Sequence, residues 1–258
     1  MPVRNVDGER YFNELAASAE KYFIPYINEK KSLTAGMSVL EFGCGQGGIL
    51  LPFARMGCCV TGVDLDAPKI EDGKRCFARE GLEANLIADN LFNMKELERS
   101  FDVIVCHDVI EHISDKRAFL EKIRDFLKDD GVIFFGFPAW QMPFGGHQQN
   151  CRSRLVSHWP FLHLLPAGIY RRIMKAAGES ESTIADMLDI KKTATPIELF
   201  EKLVREGSLR ILDRTLYFIN PHYEVKFGLR PRKLCKPLSA IPWLRNFFST
   251  GCFYLVAK

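Results

Sequence analysis

The chain has 258 residues, of which 47% are apolar, 26% charged and 12% aromatic, with 35 Lys and Arg against 32 Asp and Glu. That composition excludes a disordered, collagenous or coiled-coil protein, and the length buries a core without disulfide or metal staples. The eight cysteines include no C-x-x-C pair, so zinc and redox spacings are missing and a reducing cytoplasm is the expected compartment.

The net charge of +3 divides unevenly along the chain. Residues 131–178 and 225–258 contain no acid and together hold twelve Lys and Arg, which leaves 23 basic against 32 acidic residues elsewhere. Such asymmetry reports on partners or substrates rather than on fold.

In chain order, residues 9–28 set Tyr11, Phe12, Leu15, Ala19, Tyr22, Phe23 and Tyr26 on one face, the pattern of an amphipathic helix. The residues ahead of it form no apolar leader, and no apolar run approaches the roughly 18 residues of a membrane span. From Ser38 the pattern changes to short apolar runs at 39–42, 59–63, 84–88, 101–106 and 132–137, separated by helical segments at 49–56, 69–79 and 116–127. This alternation predicts an α/β fold with a parallel sheet and helices on both faces. Ser114 is the expected N-cap of the third of these helices, and Gly131 the stop that turns the chain into the fifth strand.

The alternation then breaks, and residues 139–195 form a long insertion before Pro196 opens a helix over 197–205 closed by Gly207. Within the insertion, residues 166–177 carry Ile169, Tyr170, Ile173, Met174 and Ala177 on one side and Arg171, Arg172 and Lys175 on the other. A lid helix packing its apolar side inward is the first reading of this segment, and peripheral membrane contact the second. Strands at 209–219 and 252–257 finish the chain. The organisation is a single domain: a helical cap (1–34), a cofactor-binding core (35–138), a lid insertion (139–195) and a C-terminal helix with a strand hairpin (196–258).

The first strand runs into Glu41-Phe42-Gly43-Cys44-Gly45-Gln46-Gly47-Gly48 and then a helix. Glycines there let backbone approach a ligand at the carboxyl end of the strand. Gly43, Gly45 and Gly48 satisfy G-x-G-x-x-G, and Asp64 follows at the end of the second strand, where it can accept from a ribose diol. Those features alone fit a dinucleotide as well as another adenosine cofactor. Glu41, Asp64 and Asp89 place three carboxylates around one crevice, which would repel a pyrophosphate and suit a cofactor bearing an ammonium and a sulfonium. S-adenosylmethionine is such a cofactor.

The segments VLEFGCGQGG (39–48), VTGVDLD (60–66), LIADNLF (86–92), FDVIVCHDVIEHI (101–113) and LKDDGVIFFGFP (127–138) resemble, in order and spacing, the motifs of class I S-adenosylmethionine-dependent methyltransferases. The Asp-Val-Ile-Glu-His run looks most like the branch containing ubiquinone-biosynthesis O-methyltransferases. The resemblance implies a doubly wound, Rossmann-like, seven-stranded and mostly parallel sheet with an antiparallel last strand. It implies S-adenosyl-L-methionine as cofactor and S-adenosyl-L-homocysteine as product. By position, Gly43, Gly45 and Gly47 would hug the methionine part, with Cys44 and Leu65 also among the cofactor contacts. Glu41 would anchor the cofactor, Asp64 take the ribose hydroxyls, and Asp89 the adenine amino group. Asn90 and Leu91 would flank the ring, and His107 would line the pocket by its backbone.

Methyl transfer from a sulfonium is an in-line displacement, so alignment dominates and a base is needed only when a hydroxyl loses its proton. His147, in the loop after the fifth strand, is the candidate base. The resemblance implies that Glu111 and His112 lie near the acceptor or a divalent metal, as in some relatives, or only organise the following helix, and no metal is assigned. His158 and His163 are read as packing residues. The aromatic lid suggests a small-molecule or lipid-like acceptor that is apolar or aromatic, and the basic stretches one that is anionic or presented at a membrane. A nicotinamide-dependent oxidoreductase and a non-catalytic cofactor-binding protein are the rival readings. No Asn-Pro-Pro-Tyr-type motif or binding module points to nucleic acid.

Overall fold

The computed structural model describes residues 8–94 and 97–258, so the first seven residues of the expected cap lie outside the described residues. The N-terminal helical stretch is helical throughout but not uniform: Gly8–Ser18 is followed by a π-turn, Ala19–Phe23, and a final segment, Ile24–Asn28. Pro25, which lacks an N–H for the regular ladder, opens that last segment.

Among the described residues eight strands form one sheet: β1 (Ser38–Phe42), β2 (Cys59–Asp64), β3 (Asn85–Ala88), β4 (Phe101–His107), β5 (Leu127–Phe137), β6 (Arg210–Ile219), β7 (Arg232–Lys233) and β8 (Gly251–Ala257). Their order is β3-β2-β1-β4-β5-β8-β6-β7. Strands β1 to β5 pair in parallel, and β8 inserts antiparallel between β5 and β6. The sheet therefore has one strand more than the seven expected, because the two residues of β7 add a short antiparallel edge to β6.

Period-two alternation sorts the central side chains into two layers. Val39, Val103, Val105, Val132 and Phe134 face the N-terminal helix and the helices after β1 and β2. Leu40, Phe42, Ile104, Ile133 and Phe135 face the helices Lys116–Phe126 and Ile197–Glu206. Phe23 fills the first layer, its ring 5.0 Å from that of Phe134 and 5.4 Å from that of Phe253.

Two local expectations change. The N-cap of Lys116–Phe126 is Asp115, whose carboxylate accepts the Ala118 N–H at 2.9 Å, rather than Ser114. β5 starts directly at Leu127, and Gly131 lies inside the strand at an irregularity in the β4 pairing. A Cβ at Gly131 would lie 2.7 Å from Leu127 Cδ1 and 2.9 Å from the Phe101 carbonyl oxygen, so glycine permits a close backbone crossing there.

The insertion builds a small core of its own from Cys151, Val156, Leu162, Tyr170, Met174 and Ile184. Helix Ala167–Ala176 turns Tyr170 and Met174 inward, while Arg171 and Lys175 pair with Glu181 on the outside. The second lid helix, Glu181–Lys192, was not read from the sequence. The connection between the two C-terminal strands read from the sequence contains the helices His222–Phe227 and Lys236–Ala240 and a 3-10 turn, Leu244–Phe248.

Candidate active site

The carboxyl ends of β1, β2, β3 and β4 bring the acids together. The Asp89 N–H donates to the Asp64 carbonyl at 3.1 Å, so the ends of β2 and β3 are locked side by side. In the loop after β1, the Gly45 N–H donates to Asp64 Oδ2 at 2.7 Å, and the Asp66 N–H to Oδ1 at 2.9 Å. Asp64 thus shapes the glycine loop, and its two oxygens keep lone pairs for a further donor. Asp89 Oδ1 accepts from the Asn90 N–H at 2.6 Å and from Asn93 Nδ2 at 2.9 Å, and these bonds lower its pKa.

The glycines divide the work. Gly45 (φ +54°) opens on the crevice, where a Cβ would meet nothing closer than Lys69 Cδ at 3.8 Å. Gly47 backs onto Phe77 and Leu86, and a Cβ at Gly48 would lie 2.4 Å from the Phe12 carbonyl oxygen. Gly48 is therefore where the N-terminal helix crosses the loop. Cys44 is buried, with burial raising its thiol pKa.

Glu41 is 2% exposed, and its Oε2 has no hydrogen-bond partner. Burial, and then the charge of Asp64, push its carboxyl well above the usual range. A buried acid with an unmatched oxygen, beside a second carboxylate, is stabilised by a cation placed between them. The residues fit a cofactor with a cationic amino-acid end, held by Glu41 and the glycine loop, and a ribose at Asp64. Leu65 is 75% exposed at the edge of this crevice, whereas the side chain of Leu91 is buried in the core layer. The His107 imidazole lies inward against Phe23, 4.8 Å between centroids, which leaves its backbone at the strand end.

Beyond the crevice opens a cavity of about 820 Å³. Asp108 and His112 enter it from the loop after β4, and Phe144 and His147 from the loop after β5. The unforeseen helix Glu181–Lys192 adds Asp186, Met187, Asp189 and Ile190, and His222–Phe227 adds His222, Tyr223 and Lys226. Tyr11 of the N-terminal helix closes one side; burial, with Asp108 and Glu41 nearby, raises its pKa. Phe161 and Trp159 of the lid lie outside this cavity with 39% and 43% of their surface exposed.

At its floor Glu111, His112 and His147 each offer a ligand atom, all within 4.8 Å of one another, the one such group among the described residues. Glu111 is buried, and neither of its carboxylate oxygens has a partner; burial, and then Asp108, raise its pKa. Burial, and then His147, lower the pKa of His112 to about 4, and burial lowers that of His147. The turn carrying this pair is fixed from the lid: Thr193 Oγ1 donates to the Glu111 carbonyl at 2.6 Å, and Lys116 Nζ donates to the Ile113 and Thr193 carbonyls. Glu111 therefore makes no side-chain bond to the helix that follows. His163, as read, is a packing residue, its Nε2–H donating to the Trp140 carbonyl at 2.8 Å. His158 is exposed, its Nδ1 2.9 Å from the Arg154 carbonyl oxygen.

Strand order, glycine loop and strand-end acids define the class I S-adenosylmethionine-dependent methyltransferases. A family profile described as "Methyltransferase domain" matches residues 9–178, and the chain belongs to that family. It is 32% identical over 117 residues to a protein named ubiquinone biosynthesis O-methyltransferase of Actinobacillus pleuropneumoniae, covering 43% of this chain and 50% of that one. It is 26% identical over 214 residues to the protein of the same name from Bartonella bacilliformis, covering 80% of this chain and 74% of that one. The chain thus spans half the length of the first relative. In architecture it is similar to a S-adenosylmethionine-dependent methyltransferase of Clostridium acetobutylicum, with a TM-score of 0.57, 15% identity, and 94% of this chain and 91% of that one covered. Family membership replaces the nicotinamide reading.

Proposed function

We propose that the chain, acting as one domain, moves a methyl group from S-adenosylmethionine to a hydroxyl oxygen of a small-molecule acceptor. The observation that carries this reading is the convergence of Asp108, His112 and His147 on one cavity, with the buried Glu111 within ligand distance of the two histidines and Lys69 of the same wall lying against Gly45 of the glycine loop. The names of the two relatives support an oxygen acceptor. When bound, the cofactor supplies an electrophilic methyl group on a positively charged sulfur.

Glu41, the loop around Gly45 and Asp64 hold the donor, with Asp89, Asn90 and Leu65 at its adenine end. Tyr11 and the lid exclude water from the crevice. His147, kept neutral by burial, takes the hydroxyl proton at a ring nitrogen as the new bond forms, and Asp108 stabilises the resulting imidazolium. The wall combines Met142, Phe144, Met187 and Ile190 with Asp186, Asp189 and Lys226, which suits an acceptor with both an apolar body and polar substituents.

The unpartnered Glu111 oxygens favour a second reading of the same floor: with His112 and His147 they form a carboxylate and two-imidazole donor set for a divalent cation, which would orient the hydroxyl. Chelation followed by return of Mg²⁺ or Zn²⁺ separates the two, since a proton-accepting His147 works in chelator and a cation site does not. We also place the chain in a reducing cytoplasm, supported by eight cysteines that are all unpaired. Among the described residues no helix is long and apolar enough to cross a membrane. The functional reading is tested by mass spectrometry of hydroxylated aromatic acceptors incubated with the protein and cofactor: methyl ethers support it, and methylation confined to nitrogen or carbon overturns it.

A further inference from the structure

The connection between β7 and β8 exposes large apolar side chains that the core does not use. Ile241, Trp243, Leu244 and Phe247 are 46%, 59%, 41% and 38% exposed. This segment is not loose. Arg245 donates to Glu198 Oε1 at 3.0 Å and to Glu201 Oε2 at 2.9 Å, Asn246 Nδ2 donates to Glu198 Oε2 at 2.6 Å, and Asn246 Oδ1 accepts the Ile197 N–H at 2.8 Å. Arg245 and Asn246 are buried, so the clamp grips one side of the turn and leaves the apolar side chains on the other.

Trp243 has φ +65°, a conformation unfavourable for a residue with a Cβ, and its N–H is held by Glu198 Oε1 at 2.8 Å. From the lid, Phe161 places its ring 6.2 Å from that of Phe247, so lid and C-terminal connection present one face. The same connection carries Arg230, Arg232, Lys233 and Lys236, all exposed and without an ion pair among the described residues, and residues 225–258 contain no acid to balance them. An ordered tryptophan and phenylalanine patch on a connection that also carries unpaired cations complements a surface that is apolar within and anionic outside.

We propose that this face docks on an anionic lipid bilayer, with Trp243, Leu244, Phe247 and Phe161 in the interfacial layer and Arg230, Arg232, Lys233 and Lys236 over the headgroups. It deepens the functional reading and rests on it in one respect. Thr250 and Lys226 of the cavity wall adjoin this face in sequence, and the Asn220 N–H holds the end of β6 to Thr250 Oγ1 at 3.0 Å, so an acceptor dissolved in the bilayer would enter beside the docked face.

The test is cosedimentation of the whole chain, without acceptor, with vesicles of phosphatidylcholine alone and of phosphatidylcholine and phosphatidylglycerol in equal parts. Binding to the anionic vesicles is expected, reduced at high salt and at least tenfold weaker on the neutral ones. Trp243→Gly with Phe247→Ser is expected to lower the partition coefficient at least tenfold at an unchanged melting temperature, because glycine relieves the backbone at 243. Arg232→Gln with Lys233→Gln should lower it by about fivefold per charge. No binding to anionic vesicles, equal binding to neutral ones, retention of binding by the Trp243 and Phe247 variant, or a dimer that buries Trp243 would each overturn the proposal. Since no acceptor is present, failure here leaves methyl transfer standing, and failure of methyl transfer leaves the vesicle result standing.

Discussion

His112 and His147 meet edge to face, ring centroids 5.1 Å apart, although one follows β4 and the other follows β5. Nothing in their separation along the chain sets that distance. It arises because β4 and β5 are paired neighbours whose loops leave the same end of the sheet. If His147 accepts the acceptor's proton, His147→Ala should lower kcat by about 10²-fold or more while S-adenosylhomocysteine affinity stays within about twofold. Single-turnover kinetics and calorimetry check both halves, and unchanged turnover removes the base role.

The cofactor end has its own signature. Asp64→Ala removes the acceptor of the Gly45 and Asp66 N–H groups together with the ribose contact, and should weaken S-adenosylhomocysteine binding by about ten- to a hundredfold. Glu41→Gln keeps the shape but not the charge, and should weaken it by about tenfold. Calorimetry at low and high salt checks this, and wild-type affinity in both variants would contradict the placement of the cofactor.

Two glycines of one loop should respond differently to alanine. Gly48→Ala drives a methyl group to 2.4 Å from the Phe12 carbonyl and must displace the N-terminal helix, at a cost of several kcal/mol beyond ordinary overpacking of about 1–3 kcal/mol. Gly45→Ala meets open space and incurs only the left-handed backbone penalty of about 1 kcal/mol. Thermal melting should rank them in that order, and equal losses would contradict the helix crossing.

The buried lid histidine predicts a pH dependence of stability. Burial lowers the His163 pKa from 6.5 to about 4. Between those values the unfolded chain binds the proton and the folded lid does not, so stability due to a neutral imidazole is full above pH 6.5 and is lost as pH falls toward about 4. His163→Gln lacks this titration. The melting-temperature advantage of the parent over the variant should therefore shrink from about pH 7.5 to about pH 5, and a constant difference would contradict a neutral His163.

The sheet core was readable because β1, β4 and β5 are short Val, Ile and Phe runs buried on both faces, and the glycine loop because its acids fall at strand ends. The acceptor wall was less so. Helix Glu181–Lys192 buries only Ile184 and Met187, and its cavity-facing Asp186 and Asp189 interrupt the apolar stripe that would have announced it. Its start was still marked by Ser180, whose hydroxyl accepts the Thr183 N–H at 3.1 Å. His222–Phe227 is one short turn whose buried histidine lies 2.9 Å from Ser18 Oγ, a tertiary contact with no local pattern. Tyr11 falls in the apolar pattern of the N-terminal helix, yet it is 38% exposed at the cavity wall rather than packed in the core, a place that depends on where that helix crosses the loop.

Methyl transfer to a hydroxyl oxygen is tested by following the methyl group. The chain is incubated with S-adenosylmethionine carrying an isotope-labelled methyl group and a set of hydroxylated aromatic acceptors, and products are read by mass spectrometry. Label is expected in a methyl ether, with S-adenosylhomocysteine formed in equal amount and both lost in His147→Ala. Binding of S-adenosylhomocysteine with no label transferred to any oxygen would contradict it.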